Sequence, residues 1–181
     1  RLAAEASRIE IEVCGKPIGK QDQYIAAYGG MQFIEFNPDE TVFTDPLPCT
    51  RALKQELQSS LLMLYTGLTR SANDVLDTQR TNTENDSDTF DLLRQMRDHA
   101  DALRVRLCAG NLDGFGEILH EGWMLKRRVA TGITSPTIDE WYERARRHGA
   151  IGGKLLGAGG GGFLLLCAHP DHHEAIRRAL P

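Results

Sequence analysis

Gly157-Ala158-Gly159-Gly160-Gly161-Gly162, running directly into Phe163-Leu164-Leu165-Leu166-Cys167, is the stretch of this 181-residue chain whose reading decides the fold. The apolar run after the glycines predicts a buried strand. The segment before them, from Pro136 through Trp141 and Tyr142 to His148-Gly149, predicts a helix with proline at its start. The predicted order is helix, glycines, strand. A dinucleotide-binding fingerprint needs the opposite order, and a Walker A loop needs Lys-Ser or Lys-Thr after the glycines; neither condition is met. Two uses remain. The run turns a tight helix-to-strand corner, or it lets another backbone or a bound phosphate come where a Cβ would intrude. Five glycines in six positions exceed what a corner needs, which favours the second use.

Upstream, Phe90, Leu93, Met96, Ala100, Leu103 and Leu107 recur at threes and fours, as do Phe115, Ile118, Leu119, Gly122, Leu125 and Val129. With Gly110 and Gly114 interrupting between them, they predict a helical hairpin. The Thr-, Asn-, Asp- and Ser-rich tract 81–88 reads as a loop that caps the following helix. Leu61-Leu62-Met63-Leu64-Tyr65 reads as a buried strand that enters a loop at Thr66-Gly67, before a polar, helix-compatible stretch over 71–80. Near the start, a helix is already under way at Arg1 and carries Ile9 and Ile11. A loop over 14–20 follows, then a short helix over 23–28 stopped by Gly29-Gly30. Strands over 31–36 and 41–43 flank the turn Asn37-Pro38-Asp39-Glu40. Pro46-Leu47-Pro48 marks a boundary, so the expected division is 1–50 and 51–181, and the class is α+β.

The formal net charge is −4, with both signs interspersed and no basic stripe, so nucleic acid and anionic membrane are excluded as expected partners. No apolar run approaches the roughly 20 residues that span a bilayer, and nothing at the start resembles the charged, apolar, small-residue pattern of a signal peptide. A soluble cytoplasmic protein is the default expectation. Cys14, Cys49, Cys108 and Cys167 form no C-x-x-C pair and read as reduced, mostly buried thiols. His169, His172 and His173, beside Asp171 and Glu174, read as decoration of a surface helix over 170–180, not as a metal site.

A second chemical feature is Pro17-x-Gly19-x-x-Asp22-Gln23, an acid after an irregular loop with Lys20 two residues before it. Asp22 stands where a helix N-cap would stand. It could also receive a hydroxyl proton, and the two roles are compatible.

These features, in this order, resemble the GHMP kinase superfamily and within it the heptose 7-phosphate kinases. The resemblance is carried by Gly19-Lys20-Gln21-Asp22-Gln23-Tyr24 with Tyr28-Gly29-Gly30, by Tyr65-Thr66-Gly67-x-x-Arg70, and by Lys154-Leu155-Leu156-Gly157-Ala158-Gly159-Gly160-Gly161-Gly162-Phe163. It implies the end of a ribosomal-S5-like, ATP-binding N-terminal domain (1–50) followed by most of a ferredoxin-like C-terminal domain. It implies transfer of the ATP γ-phosphoryl group to the anomeric hydroxyl of heptose 7-phosphate, with Mg2+ held mainly by residues outside this chain. Asp22 aligns with the aspartate that orients and deprotonates the acceptor hydroxyl; with a loose transition state its work is chiefly positioning. Lys20, Gln23, Tyr65 and Arg70 become substrate-binding candidates. Gly157, Ala158, Gly159, Gly160 and Gly161 match the family's third motif, which lies against the phosphate-binding loop and helps shape the active-site mouth, and become cofactor-binding candidates. The Gly- and Ser-rich loop that grips the triphosphate in the family is expected upstream of residue 1. Two rivals stay open: another GHMP kinase, galactokinase- or fucokinase-like, and a non-catalytic protein on the same fold.

Overall fold

The computed structural model describes residues 1–69 and 72–181. The chain divides into two compact units, Arg1–Cys49 and Thr50–Pro181.

In the first unit, α1 (Leu2–Arg8) passes without a break into a wider π-helical turn, Ile9–Val13. The glycine-bearing loop after it leads to α2 (Gln21–Tyr28), which ends at Gly29, where φ is +67°. A hairpin follows, β1 (Gln32–Phe36) against β2 (Val42–Pro46), with Phe36 opposite Val42. Its turn is closed by the bond from Asn37 N to Thr41 O at 2.9 Å and by Asp39, whose Oδ1 accepts from Thr41 N at 3.0 Å. The second strand runs to Pro46, beyond the predicted end at residue 43.

The second unit opens with α3 (Arg51–Ser60), capped by Thr50, whose Oγ1 accepts from Leu53 N at 3.1 Å. Strand β3 (Leu61–Tyr65) follows, then α4 (Ala72–Asn85), α5 (Ser87–Cys108), α6 (Leu112–Val129) and α7 (Pro136–Arg147). The unit closes with β4 (Ala150–Leu155), β5 (Phe163–Ala168), a 3-10 turn over Pro170–His172, and α8 (His173–Ala179). β5 is central and antiparallel to both neighbours, in the order β3-β5-β4. Leu62, Leu164, Leu166 and Leu155 are buried against Trp123, Ile133, Ile138 and Tyr142, while Met63 and Tyr65 of β3 face solvent. One covered face and one wet face is the usual condition of an antiparallel sheet.

Several expectations need correction. The tract 81–88 is mostly helix. Thr78, Thr81 and Thr83 each donate a hydroxyl to the carbonyl four residues back, which satisfies these side chains without leaving the helix. Only Asp86 breaks the run, as the N-cap of α5. Its carboxyl is held below the usual range, chiefly by the Thr89 hydroxyl, which donates at 2.7 Å. Phe90 is exposed and Leu92 is buried in its place. Gly114 does not interrupt: it lies inside the first turn of α6 and gives its N–H to the cap Asn111. Cys14 and Cys108 are exposed thiols; of the four cysteines only Cys167 is buried, and all are free.

The largest correction concerns β4. The order around the glycines is strand, glycines, strand, because Ala150–Leu155 pairs with Phe163–Ala168 and the run is a hairpin loop. The strand is hidden in sequence by Gly152-Gly153. A Cβ on Gly152 would stand 1.9 Å from the carbonyl oxygen of Gly116, so α6 crosses β4 at backbone contact and only glycine fits.

Candidate functional site

In the second unit the loop 157–162 closes between Leu155 and Leu164, opposite each other in the register, with Leu156 N donating to Phe163 O at 2.8 Å. Two other segments hold it. Gly160 N donates to Ile133 O, and Gly162 N to Leu68 O, both at 2.9 Å. Thr66 returns two bonds to Gly162 O, from its N at 2.8 Å and its Oγ1 at 2.9 Å. Lys126, at the end of α6, donates to Gly157 O at 2.6 Å. Burial, with the like charge of Lys154 nearby, pushes the Lys126 ammonium down to about 8.

Each of the five glycines has a local cause. Gly157, Gly159, Gly160 and Gly162 have φ of +71°, +120°, +78° and +90°; a Cβ on Gly161 would meet Leu68 O at 2.3 Å. The count alone therefore no longer argues for a ligand. What the anchoring leaves over does bear on one. Among the described residues, the N–H groups of Ala158, Gly159 and Gly161 donate to no protein acceptor, and unpaired amides in a glycine-rich turn suit an anion. A polar hollow of about 320 Å³, lined by Asp74, Val75, Thr78, Thr131 and Gly132, lies one residue from the Ile133 that receives Gly160.

Of the other candidates in this unit, Tyr65 ends β3 opposite Phe163, with the two rings 5.2 Å apart, so it stands at the exit of the glycine loop. Arg70 lies outside the described residues. The sequence reading missed Lys126, Ile133 and Leu68, whose part is played by backbone or by contacts distant in sequence, and it gave Thr66 no role of its own.

In the first unit, Lys20 is the N-cap residue of α2 and Asp22 sits within the first turn, not at the cap. An exposed carboxylate there is stabilised by the helix dipole without making a cap bond. The Lys20 ammonium is paired with Glu40, on the surface, where ion pairs exchange easily. Gln23 is buried: its Nε2 donates to Glu10 Oε1 at 3.0 Å, and its Oε1 has no partner. Its observed contact is structural, tying α2 to the π-helical turn.

Among the described residues, no group of three or more His, Cys, Asp or Glu side chains is placed to hold a metal ion. His169 faces Asp171 at 3.2 Å and His173 turns to Ala168 O. No helix among the described residues is long and apolar enough to cross a membrane.

The second unit thus sets an antiparallel sheet with a glycine-loop hairpin against α6, which in turn packs on α5. Residues 101–181 match the family model described as GHMP kinases C terminal. Beyond that domain, the chain is 27% identical over 180 residues to D-glycero-alpha-D-manno-heptose 7-phosphate kinase of Campylobacter jejuni, covering 99% of this chain and 52% of that protein. It is 29% identical to the bifunctional fucokinase/GDP-fucose pyrophosphorylase of Arabidopsis thaliana, over 93% of this chain and 16% of that protein. Among solved structures, a D-glycero-D-manno-heptose 1-phosphate kinase from Bacteroides thetaiotaomicron superposes with a TM-score of 0.68 at 28% identity, over 98% of this chain and 47% of that one. The chain thus spans about half the length of the heptose kinases it matches.

Proposed function

We propose that this chain is part of an ATP-dependent sugar kinase that phosphorylates the anomeric hydroxyl of a heptose 7-phosphate, giving the 1,7-bisphosphate. The observation that carries the reading is the reach of the likeness. It runs over 99% of the chain and so includes the segment with Asp22, not the C-terminal domain alone.

ATP supplies the phosphoryl group. The residues of this chain bind and position. Asp22, exposed in the first turn of α2, orients the acceptor hydroxyl and takes its proton late, as suits a loose transition state. The loop 157–162 offers the amides of Ala158, Gly159 and Gly161, unpaired among the described residues, to phosphate oxygens, and its bonds to Leu68 and Ile133 keep those amides in place before any ligand arrives. Lys20 can leave Glu40 for a substrate phosphate, since a surface pair is worth at most about 1 kcal/mol. Gln23, Tyr65 and Arg70 complete the set of substrate-binding candidates. Among the described residues no cluster of His, Cys, Asp or Glu is placed to hold magnesium. The reading also takes the protein to be cytoplasmic, and residues 1–50 and 51–181 to be the end of the ATP-binding domain and the C-terminal domain.

The two heptose relatives are named for sugars with the phosphate at different positions, and a fucokinase also matches over most of the chain. ADP formation by the full-length protein with heptose 7-phosphate, heptose 1-phosphate, fucose and galactose, with the product located by phosphorus NMR, separates these. Heptose 7-phosphate should give the highest kcat/KM. Asp22→Asn should lower kcat by about 10²-fold or more with ATP binding intact. Activity within a few fold of the parent removes Asp22 from the chemistry, and no ADP with any sugar favours a non-catalytic protein.

A further inference from the structure

Between α5, α6 and β4 lies a cavity of about 140 Å³ that the proposed reaction does not use, lined among others by Met96, Leu103, Ile118, Leu119, Trp123 and the two lysines Lys126 and Lys154. That is roughly the share of four or five liquid waters, enough for a compact ligand only. Three features set it apart from a packing defect. First, among the described residues no Asp or Glu lines it, although Lys126 and Lys154 both do. Lys126 reaches only a carbonyl oxygen, and Lys154 has no ion pair or side-chain hydrogen bond among the described residues. Second, Trp123 is 1% exposed and its Nε1 is buried without an acceptor. A buried indole N–H normally finds a partner. Third, His99, another wall, keeps a buried Nδ1 with no partner, while its Nε2 faces Glu121 at 3.5 Å. The remaining walls are apolar. Cations and an orphan donor beside aliphatic walls describe the complement of a small organic acid: an anionic head that neutralises the lysines, and an apolar body against Leu103, Ile118 and Leu119.

We propose that this cavity is a binding site for a compact organic acid, a carboxylate on a small apolar body, held by Lys154, Lys126 and the Trp123 indole N–H. Burial lowers both lysines from their ordinary range, yet with Lys126 at about 8 it is charged at neutral pH, as the site requires. Lys126 also links the cavity to the glycine loop through Gly157 O, so an occupant is felt there.

The test uses the whole chain carrying Trp141→Phe, which leaves Trp123 as the single indole, and benzoate at pH 7 as the probe. Benzoate should shift the indole N–H resonance and quench the fluorescence saturably. Benzyl alcohol, nearly the same shape without charge, should bind at least tenfold more weakly, as should benzoate to Lys154→Gln. Gly122→Leu fills the cavity from the α6 side, where a Cβ has nothing nearer than His99 Nδ1 at 3.9 Å, and should abolish binding. If Lys154→Gln does not fold, the alcohol comparison and Gly122→Leu decide. An indole resonance that benzoate leaves unmoved overturns the proposal. So does benzyl alcohol binding within threefold of benzoate, or parental affinity in either folded variant. Inorganic phosphate moving the resonance where benzoate does not also overturns it, since the site would then take the charge without the body.

Discussion

Replacing Gly161 by alanine separates the two uses of the glycine run. The added Cβ would stand 2.3 Å from the carbonyl oxygen of Leu68 and 2.7 Å from its carbon, both backbone atoms that cannot swing aside. The segment 66–68 or the loop must then shift. The bonds at stake are Gly162 N to Leu68 O and the two from Thr66 to Gly162 O. At about 1 kcal/mol net for each bond lost, Gly161→Ala should cost roughly 2–3 kcal/mol. Gly157→Ala is the control: φ there is +71°, but a Cβ meets nothing within 4 Å. Its cost is the left-handed backbone alone, about 1 kcal/mol, part of it offset by a stiffer unfolded chain. Urea unfolding followed by tryptophan fluorescence measures both, because Trp123 and Trp141 both belong to the second unit and report on it. Gly161→Ala within about 0.5 kcal/mol of the parent, or Gly157→Ala the more damaging of the two, would refute the packing account of this loop.

Gly152→Ala should destabilise by roughly 3 kcal/mol or prevent folding, since its Cβ would overlap Gly116 O; Gly122→Ala, on the helix that carries Gly116, where a Cβ makes only an ordinary contact with His99 Nδ1 at 3.9 Å, should be neutral or raise the melting temperature. Thr50→Ala should cost about 1 kcal/mol through the lost cap of α3, and Thr50→Ser or Thr50→Asp should restore most of it in the same melt. Stability should rise with pH through the Lys126 titration. With the folded ammonium at about 8 against an ordinary 10.5, the unfolded chain binds more protons between those values; the cost of burying the charge is fully present below about pH 8 and is relieved as pH climbs. Between pH 8 and 9.5 the parent should gain up to about 2 kcal/mol on Lys126→Met. The buried Cys167 thiol, raised by burial, works in the opposite direction but is common to both proteins and drops out of the difference. A flat difference across that window would place Lys126 in water.

The elements that the sequence announces are those whose cause is local. Pro136 begins α7 by its fixed φ, Gly29 ends α2, and Pro38 opens the hairpin turn, all as expected from the residues themselves. Residues 51–60 were equally legible, with Thr50 as cap and Leu53 and Leu57 four apart, yet the sequence reading leaves them unassigned. Strand β4 was not legible. Gly152 and Gly153 lower strand propensity because α6 and Leu165 O lie too close for a Cβ, a cause found only in the assembled unit. The threonines of α4 misled for a similar reason: their composition says loop, and their bonds to carbonyls four residues back say helix. Lys126 carried no signal at all, being one of three consecutive basic residues that close α6.

The glycine loop itself shows why composition could not choose between corner and cradle. Its glycines are required by backbone contact and left-handed φ, which by itself is a packing argument. Yet the bonds that enforce this packing use Gly160 and Gly162, and among the described residues leave the amides of Ala158, Gly159 and Gly161 without an acceptor in a loop pinned at Leu68, Ile133 and Lys126. Donors stabilise a transferring phosphoryl group to the extent that they need no reorganisation when charge arrives. A loop fixed by its own backbone meets that condition better than one ordered by the ligand, so the packing role is the means by which a binding role would work.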